Sequence, residues 1–443
     1  MPELSASAAA NKTPLVYNLF PRLAGSIDNW PAHAQRVREM SFNWIFLNPI
    51  QYPGFSGSLY AIKDFYRLNP AFAPSAGGDE MEALRRAIDT LHDAGLKVML
   101  DLVVNHTSKD SPLIKSHPSW FRRDRDGYVV SPSAIDPADA RKVTVWGDLA
   151  EVDNAGSQDR AALWAYWTAM VQYYLDLGFD GFRCDAAYKV PARLWQQLIG
   201  AAHAKNADVL FCAETLGCRL AEVRALSDCG FNFLFNSSKW WAFDETWALE
   251  QHSEFREIAP SIAFPESHDT ERLYRECGQR MQVQRQRYAF AAAFSQGLMM
   301  PIGYERCLEK KLDVVTSTPD EWCDTGCDIS AYIGAVNRLK LAQPTLAAEG
   351  SWRVVTDLGS PTTQLLKRSE AGAPVLVVVN KDWDAEQSVA LPELEPLFGV
   401  GKATSVARID GDSGEISYSE AKGGVKLALG PAEVAFVLAG DLR

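Results

Sequence analysis

Eight short apolar runs, each ending in polar residues and alternating with helical patterns, constrain this 443-residue chain more than any other feature. They are "PLVYNLF" from Pro14, "FNWIFLNPI" from Phe42, "LKVMLDLVVNH" from Leu96, "GFDGFRCDA" from Gly178, "DVLFCAET" from Asp208, "GFNFLFN" from Gly230, "SIAFPESHD" from Ser261 and "GLMMPIGYE" from Gly297. Short β-rich runs without a polar face suit strands buried on both sides. Between them, "EMEALRRAIDTLHDAG" (Glu80–Gly95) places Met81, Leu84, Ala87, Ile88 and Leu91 at three- and four-residue spacing and stops at Gly95. "RAALWAYWTAMVQYYLDLG" (Arg160–Gly178) repeats that plan, "PARLWQQLIGAAHAKN" opens on Pro191, acceptable in a first helical turn, and "RQRYAFAAAFSQG" leads into the last strand. Strands alternating with helices predict a parallel sheet, and eight is the number that closes a (β/α)8 (TIM) barrel. The rival open, doubly wound sheet would place a Gly-rich turn after the first strand, and none is there.

Two segments break the alternation. From His106 to Asp159 there is no helix–strand repeat, only a stretch rich in Pro, Asp, Arg and Trp. A connection well beyond about 15 residues is functional or a small unit of its own. This one leaves the C-terminal end of the third strand, the face where such barrels keep their sites. After Leu346 the pattern turns to two-residue alternation, in "SWRVVTDL", "TQLLKRSE", "PVLVVVNKDW", "VKLALG" and "EVAFVLAG". These read as antiparallel strands with Gly and Pro turns. The organisation expected is a barrel over residues 1–105 and 160–345, an insertion over 106–159, and a C-terminal antiparallel β-sandwich over 346–443. The opening "MPELSASAAANK" is small and polar and is expected to be disordered.

Charge narrows the partners. Lys and Arg number 44 against 56 Asp and Glu, a net −12, which repels phosphate backbones and argues against nucleic acid. No stretch approaches the roughly 20 apolar residues that cross a bilayer, and no secretion signal is read at the start, so a cytoplasmic protein without membrane contact is expected. The eight cysteines form no zinc-type array; Cys323 and Cys327, four apart, lack a second pair, and free thiols are expected. No organic cofactor is expected.

The chemistry lies in what the strands end on. In a barrel, the C-terminal strand ends meet at one mouth, and this sequence sends there Asn48, Asp101, Asn105, His106, Arg183, Asp185, Glu214, His268 and Asp269. A merely structural barrel needs none of these charges, and burying one unpaired costs several kcal/mol. A retaining glycosidase needs one carboxylate to attack the anomeric carbon and a second carboxyl, about 5–5.5 Å away, to protonate the leaving oxygen. Asp185 and Glu214 end neighbouring strands and suit that pair. Arg183, two residues before Asp185 and on the same side of its strand, favours the ionised nucleophile, and the less charged surroundings of Glu214 (Phe211, Cys212, Ala213) favour a protonated acid. Cys184 points the other way and reads as packing.

These motifs resemble the α-amylase family of retaining glycoside hydrolases and transglycosylases, glycoside hydrolase family 13. "DLVVNH" (Asp101–His106) resembles its first conserved region, "GFRCDAA" (Gly181–Ala187) the second, Glu214 in "FCAET" the third and "FPESHD" (Phe264–Asp269) the fourth. The insertion resembles the family's domain B, with "GDLAEVDN" (Gly147–Asn154) like its extra region, and the all-β tail resembles domain C. The resemblance implies Asp185 as nucleophile, Glu214 as acid/base and Asp269 as transition-state stabiliser. It implies sugar contacts from His106 and His268, and from Tyr60 and Asp64 of "SLYAIKDFY". Tyr188 and Lys189 stand where the family often has Lys and His, on the leaving-group side. Asn105 and Asp148 match residues that family members use for calcium, an ion that takes oxygen ligands. Acting on α-1,4-glucans or maltooligosaccharides, by hydrolysis or by glucanotransfer, is the activity implied. "PIGYE" resembles maltosyltransferases that use maltose 1-phosphate, whereas "SHD" resembles ordinary amylases. Inactive partner subunits of transporters, the non-enzymatic alternative, carry an anchor and lack the carboxylates. His92, His117, His203 and His252 read as core or surface residues. Trp146, Trp240 and Trp241 are candidate sugar platforms, and Tyr304 and Glu305 candidate cleft residues.

Overall fold

The computed structural model describes residues 13–135, 141–356 and 359–439; the polar stretch Met1–Lys12 lies outside them. All eight apolar runs form strands: β1 (Leu15–Asn18), β2 (Trp44–Leu47), β3 (Lys97–Leu102), β4 (Gly181–Cys184), β5 (Leu210–Ala213), β6 (Phe233–Phe235), β7 (Ser261–Ala263) and β8 (Gly297–Pro301). They pair in parallel and close into a barrel in the order β1-β8-β7-β6-β5-β4-β3-β2. Alternate residues fill the interior, among them Val16, Phe46, Met99, Cys212, Phe235 and Met299. Their neighbours, including Tyr17, Ile45, Leu100 and Phe182, face the outer helices. Gly181 shows how tight the wall is: a Cβ there would lie 2.8 Å from the Leu210 carbonyl oxygen of the next strand.

A helix follows each strand: α1 (Trp30–Glu39), α2 (Glu80–Asp93), α3 (Arg160–Asp176), α4 (Ala192–Lys205), α5 (Leu220–Arg224), α6 (Thr246–Phe255), α7 (Met281–Phe294) and α8 (Ser330–Ala342). In α2 the Asp79 carboxylate accepts from the amides of Met81 (3.0 Å) and Glu82 (3.1 Å), capping the first turn. Its apolar stripe Leu84, Ala87, Ile88 and Leu91 is buried, and Gly95 at φ 77° ends the run, as the spacing predicts.

Two excursions rise from the C-terminal end of the barrel. After β2 an antiparallel pair, Gln51–Pro53 with Ile62–Leu68, holds Tyr60 just ahead of its second strand. After β3 the long insertion pairs His106–Ser108 with Leu149–Glu151, and Ser133–Ile135 with Val143–Val145.

Among the described residues the C-terminal region has eight further strands: β9 (Ser351–Val354), β10 (Thr362–Ser369), β11 (Gly372–Asn380), β12 (Gln387–Ala390), β13 (Thr404–Ile409), β14 (Ile416–Glu420), β15 (Lys426–Leu429) and β16 (Val434–Ala439). Six form one antiparallel sheet in the order β9-β10-β11-β16-β13-β14, and β12 with β15 forms a separate ribbon. Period-two alternation along β11 decides which face goes where. Val375, Val377 and Val379 join the core shared with the barrel. Leu376 and Val378 pack with Val389 and Leu429 of the ribbon and with Leu397 and Phe398 of the short helix α9 (Glu395–Phe398). The second layer of the expected sandwich is therefore a two-stranded ribbon and one helical turn rather than a full sheet.

Candidate active site

Strand register brings the charges together. Arg183 lies beside Asp101 of β3 on one side and Cys212 of β5 on the other, and Cys184 beside Ala213, so Asp185 and Glu214 leave adjacent strand ends. Arg183 is buried with its guanidinium between carboxylates. Its Nη1 donates to Asp101 Oδ1 (2.9 Å), Asp101 Oδ2 (3.0 Å) and Asp185 Oδ1 (2.7 Å), and Nη2 stands 3.9 Å from Glu214 Oε2. The charge pair at the end of a dry strand thus belongs to a network. Asp101 supplies a second carboxyl that shares the cation with Asp185, and burial raises its pKa to about 7 against the pull of Arg183.

Glu214 is buried, with both oxygens engaged. Oε2 accepts from the Ala186 amide (2.8 Å) and Oε1 from the Leu216 amide (2.7 Å). Ala186 takes a left-handed conformation, φ 42° and ψ 48°, in the residue directly after Asp185. A non-glycine residue pays for that conformation, and here it accompanies an N–H that reaches the neighbouring strand's carboxylate. Burial pushes the Glu214 carboxyl up to about 7, against the pull of Arg183 and with help from Asp185 and Asp269. The shift has the direction expected of Glu214. Its cause is burial in a charged site, not the absence of charged neighbours.

Behind Arg183 runs a hydrogen-bonded chain. Asn18 Nδ2 donates to Asn48 Oδ1 (2.8 Å), Asn48 Nδ2 to Tyr60 Oη (3.0 Å), and Tyr60 Oη to Asp101 Oδ2 (2.7 Å). His268 Nε2 also lies 2.8 Å from Tyr60 Oη and 3.1 Å from Asp269 Oδ2. With the phenol proton given to Asp101, His268 is assigned its proton on Nε2, leaving buried Nδ1 as an acceptor. Burial holds His268 and His106 below the usual histidine range, so both are neutral. His268 Nδ1 and both ring nitrogens of His106 have no hydrogen-bond partner among the described residues. The His268 ring stacks on Tyr60 (5.7 Å between centroids, 9° between planes) and on Phe20 (6.3 Å, 23°). Asp269 projects from the loop after β7 with its side chain 55% exposed. Arg183, Glu214, His268 and Asp269 line a narrow cleft together with the apolar Phe46, Phe235, Phe264 and Met299.

The remaining expected residues divide. Tyr188 is half-buried, and the charges of Glu214 and Asp185 help burial raise its pKa. Lys189 donates to the Ser133 carbonyl (2.5 Å) and lies 5.3 Å from the Trp146 ring centre, joining the β4 loop to the insertion. Asp64 lies apart: its Oδ1 accepts from the Tyr66 amide (2.9 Å), and its charge acts on Tyr66 and on Tyr166 and Tyr173 of α3. Being four residues beyond Tyr60 on a short strand carries it to the outside of the barrel.

Trp241 is fully buried against Phe294 and offers no platform; Trp240 and Trp146 are exposed. Tyr304 and Glu305 do not line the cleft either. Tyr304 Oη donates to the Gln284 carbonyl, and Glu305 accepts from Tyr17 Oη (2.7 Å) and pairs with Arg36 behind the barrel wall. Asn18 and Phe20 were not foreseen, although the polar end of "LVYN" was a signal for the first. Asn105 and Asp148 do not make a calcium site by themselves. Among the described residues no three His, Cys, Asp or Glu side chains gather as metal ligands, and two donors fall short of the six to eight oxygens calcium takes.

Residues 13–122 match the family of the glycogen debranching enzyme's glucanotransferase domain. The chain is 27% identical over 392 residues to an α-1,4-glucan:maltose-1-phosphate maltosyltransferase of Burkholderia pseudomallei, covering 85% of this chain and 34% of that protein. It is 25% identical over 389 residues to the enzyme of that name from Myxococcus xanthus, covering 80% of this chain and 56% of the relative. The chain thus spans between a third and somewhat over half of the length of these relatives. Among solved structures it resembles an α-amylase from Lactobacillus plantarum (TM-score 0.75, 20% identity, 97% of this chain and 99% of that one). It also resembles the Geobacillus thermoleovorans α-amylase complexed with acarbose (TM-score 0.76, 16% identity, 96% and 98%). The chain has the fold of the α-amylases.

Proposed function

We propose that this chain is a retaining enzyme of the α-amylase type that cleaves α-1,4-glucosidic bonds in glucans or maltooligosaccharides through a covalent glycosyl-enzyme. The observation that carries the reading is the pairing of Asp185 and Glu214 on adjacent strand ends around one guanidinium, with burial holding Glu214 near pKa 7. In the first step Asp185 Oδ attacks the anomeric carbon, the C1–O bond breaks, and Glu214 gives its proton to the departing oxygen. In the second, ionised Glu214 takes a proton from water or from a sugar hydroxyl, that oxygen attacks C1, and the bond to Asp185 breaks. Two inversions give retention. Asp269 would hold ring hydroxyls more tightly as positive charge develops, and His268, 3.1 Å from Asp269 Oδ2, would stand beside it.

The acceptor decides between hydrolase and transferase, and the relatives' shared name favours transfer of a maltosyl unit. The test is product analysis on a maltooligosaccharide series with and without added acceptor. Shortened oligosaccharides alone mark a hydrolase; chains lengthened by two glucose units mark a maltosyltransferase. No turnover of any α-1,4-linked donor, maltose 1-phosphate included, would end the proposal.

A further inference from the structure

We propose that the buried ion pair Glu266–Arg272 is a positioning device for Asp269, an inference that rests on the role given to Asp269 above. Both side chains are almost wholly buried, at 1% and 2% exposure. Arg272 Nη1 donates to Glu266 Oε1 (2.7 Å), and the second carboxylate oxygen accepts from the Leu273 amide (2.7 Å). The rest of the guanidinium reaches outward: Nη2 to the Ile302 carbonyl (3.0 Å) and Nε to the Lys310 carbonyl (3.1 Å). Gly303 leaves the room for this, since a Cβ there would stand 3.0 Å from Arg272 Nη2. The pair therefore closes the turn 266–272 at its base and ties that base to the segment after β8.

Inside the closed turn, Ser267 and Thr270 bond each other. The Ser267 amide donates to Thr270 Oγ1 (3.1 Å), Thr270 Oγ1 donates to the Ser267 carbonyl (3.2 Å), and Ser267 Oγ accepts from the Asp269 amide (3.3 Å). Asp269 is held at the tip by its backbone, while its side chain lies 3.1 Å from His268 Nε2 and is largely exposed. Its aim thus depends on the base of the turn. The segment gripped by Arg272 continues to Val314, whose carbonyl accepts from the Leu59 amide (3.1 Å) beside Tyr60, so one strap sets both sides of the cleft. A pair this dry gains little stability over apolar side chains of equal volume, which leaves geometry as its contribution.

The experiment compares wild type, the volume-matched Glu266→Leu/Arg272→Met variant, Asp269→Asn, and all three changes combined. The probe is α-maltosyl fluoride, whose departure needs little help from an acid. Hydrogen exchange is followed over residues 264–273. The account expects kcat of the double variant to fall by about 10²-fold while KM changes by less than about threefold. It expects no further loss once Asp269 is already Asn, and faster exchange confined to 264–273. An equal loss on both backgrounds, or unchanged exchange together with a wild-type kcat, would overturn it. If wild type does not turn over the fluoride, the proposed function fails on its own. Exchange then decides for the clamp if 264–273 loosens in the double variant and against it if not.

Discussion

Glu214 is where burial, with the carboxylates of Asp185 and Asp269 behind it, outweighs the guanidinium of Arg183, moving its pKa from 4.5 to about 7. The unfolded chain releases this proton near 4.5 and the folded chain near 7. Stability contributed by the protonated form is whole below 4.5, falls as pH rises between the two values, and is gone above 7. Glu214→Gln should therefore be more stable than wild type at pH 8, by about 1–2 kcal/mol, and show no gain at pH 4. Denaturant melts at the two pH values check this, and an equal effect at both would contradict it. The same proton predicts that wild-type kcat/KM declines as pH rises through about 7. This residue was legible in sequence because it ends an apolar strand. The sharing of Arg183 was not, since Asp101 is 82 residues away in sequence and meets it only through the β3–β4 register. Glu266 and Arg272 escaped notice too, because six residues apart in a loop matches no helical or strand period.

At the level of elements, α7 ends without a glycine stop; two of its last carbonyls go to lysines and that of Phe294 accepts from Trp352 Nε1 (3.1 Å). Lys340 of α8 is buried and donates to the carbonyls of Ala292 (2.7 Å), Ser295 (2.6 Å) and Leu346 (2.6 Å), while Lys367 of β10 donates to Ala293 (2.9 Å). Lysine N–H donors at a helix C-terminus satisfy the orphan carbonyls, while burial lowers the pKa of both amines. Lys340→Met should cost about 2–3 kcal/mol, because three buried acceptors lose their donor together. Thermal or urea unfolding measures it, and a change under about 0.5 kcal/mol would show those carbonyls satisfied otherwise. The barrel strands were readable because burial on both faces leaves them mostly apolar, with Lys97, Asp101 and Arg183 the charged exceptions. β14 was missed for the opposite reason: "ISYSE" is exposed along most of its length and carries no apolar run. The pair Gln51–Pro53 and Ile62–Leu68 was missed because its mix of charged and apolar residues follows no clean alternation.

Across the whole molecule, the barrel provides a mouth, two excursions wall it, and the C-terminal sheet braces the opposite side of the outer helices through Val375, Val377 and Phe436 in a shared core. Among the described residues no helix is long and apolar enough to cross a membrane. The distribution of labour follows from strand geometry: apolar residues along each strand build the wall, and the one or two residues past each C-terminal end face the cleft. That rule placed Asp185 and Glu214, each one residue past its strand, at the mouth; His268 reaches it from five residues past β7. The rule failed for Glu305, which follows β8 but turns behind the barrel wall to Tyr17 and Arg36, while Asp64, expected from the resemblance, lies on the excursion after β2. The central claim is that a sugar becomes covalently bound to Asp185 and leaves with its configuration kept. The direct measurement is trapping with 5-fluoro-α-glucosyl fluoride, followed by digestion and mass spectrometry. The account predicts a glycosyl adduct on the peptide carrying Asp185, lost in Asp185→Asn. An adduct on a different carboxylate, or a β-anomeric first product from wild type, would contradict it.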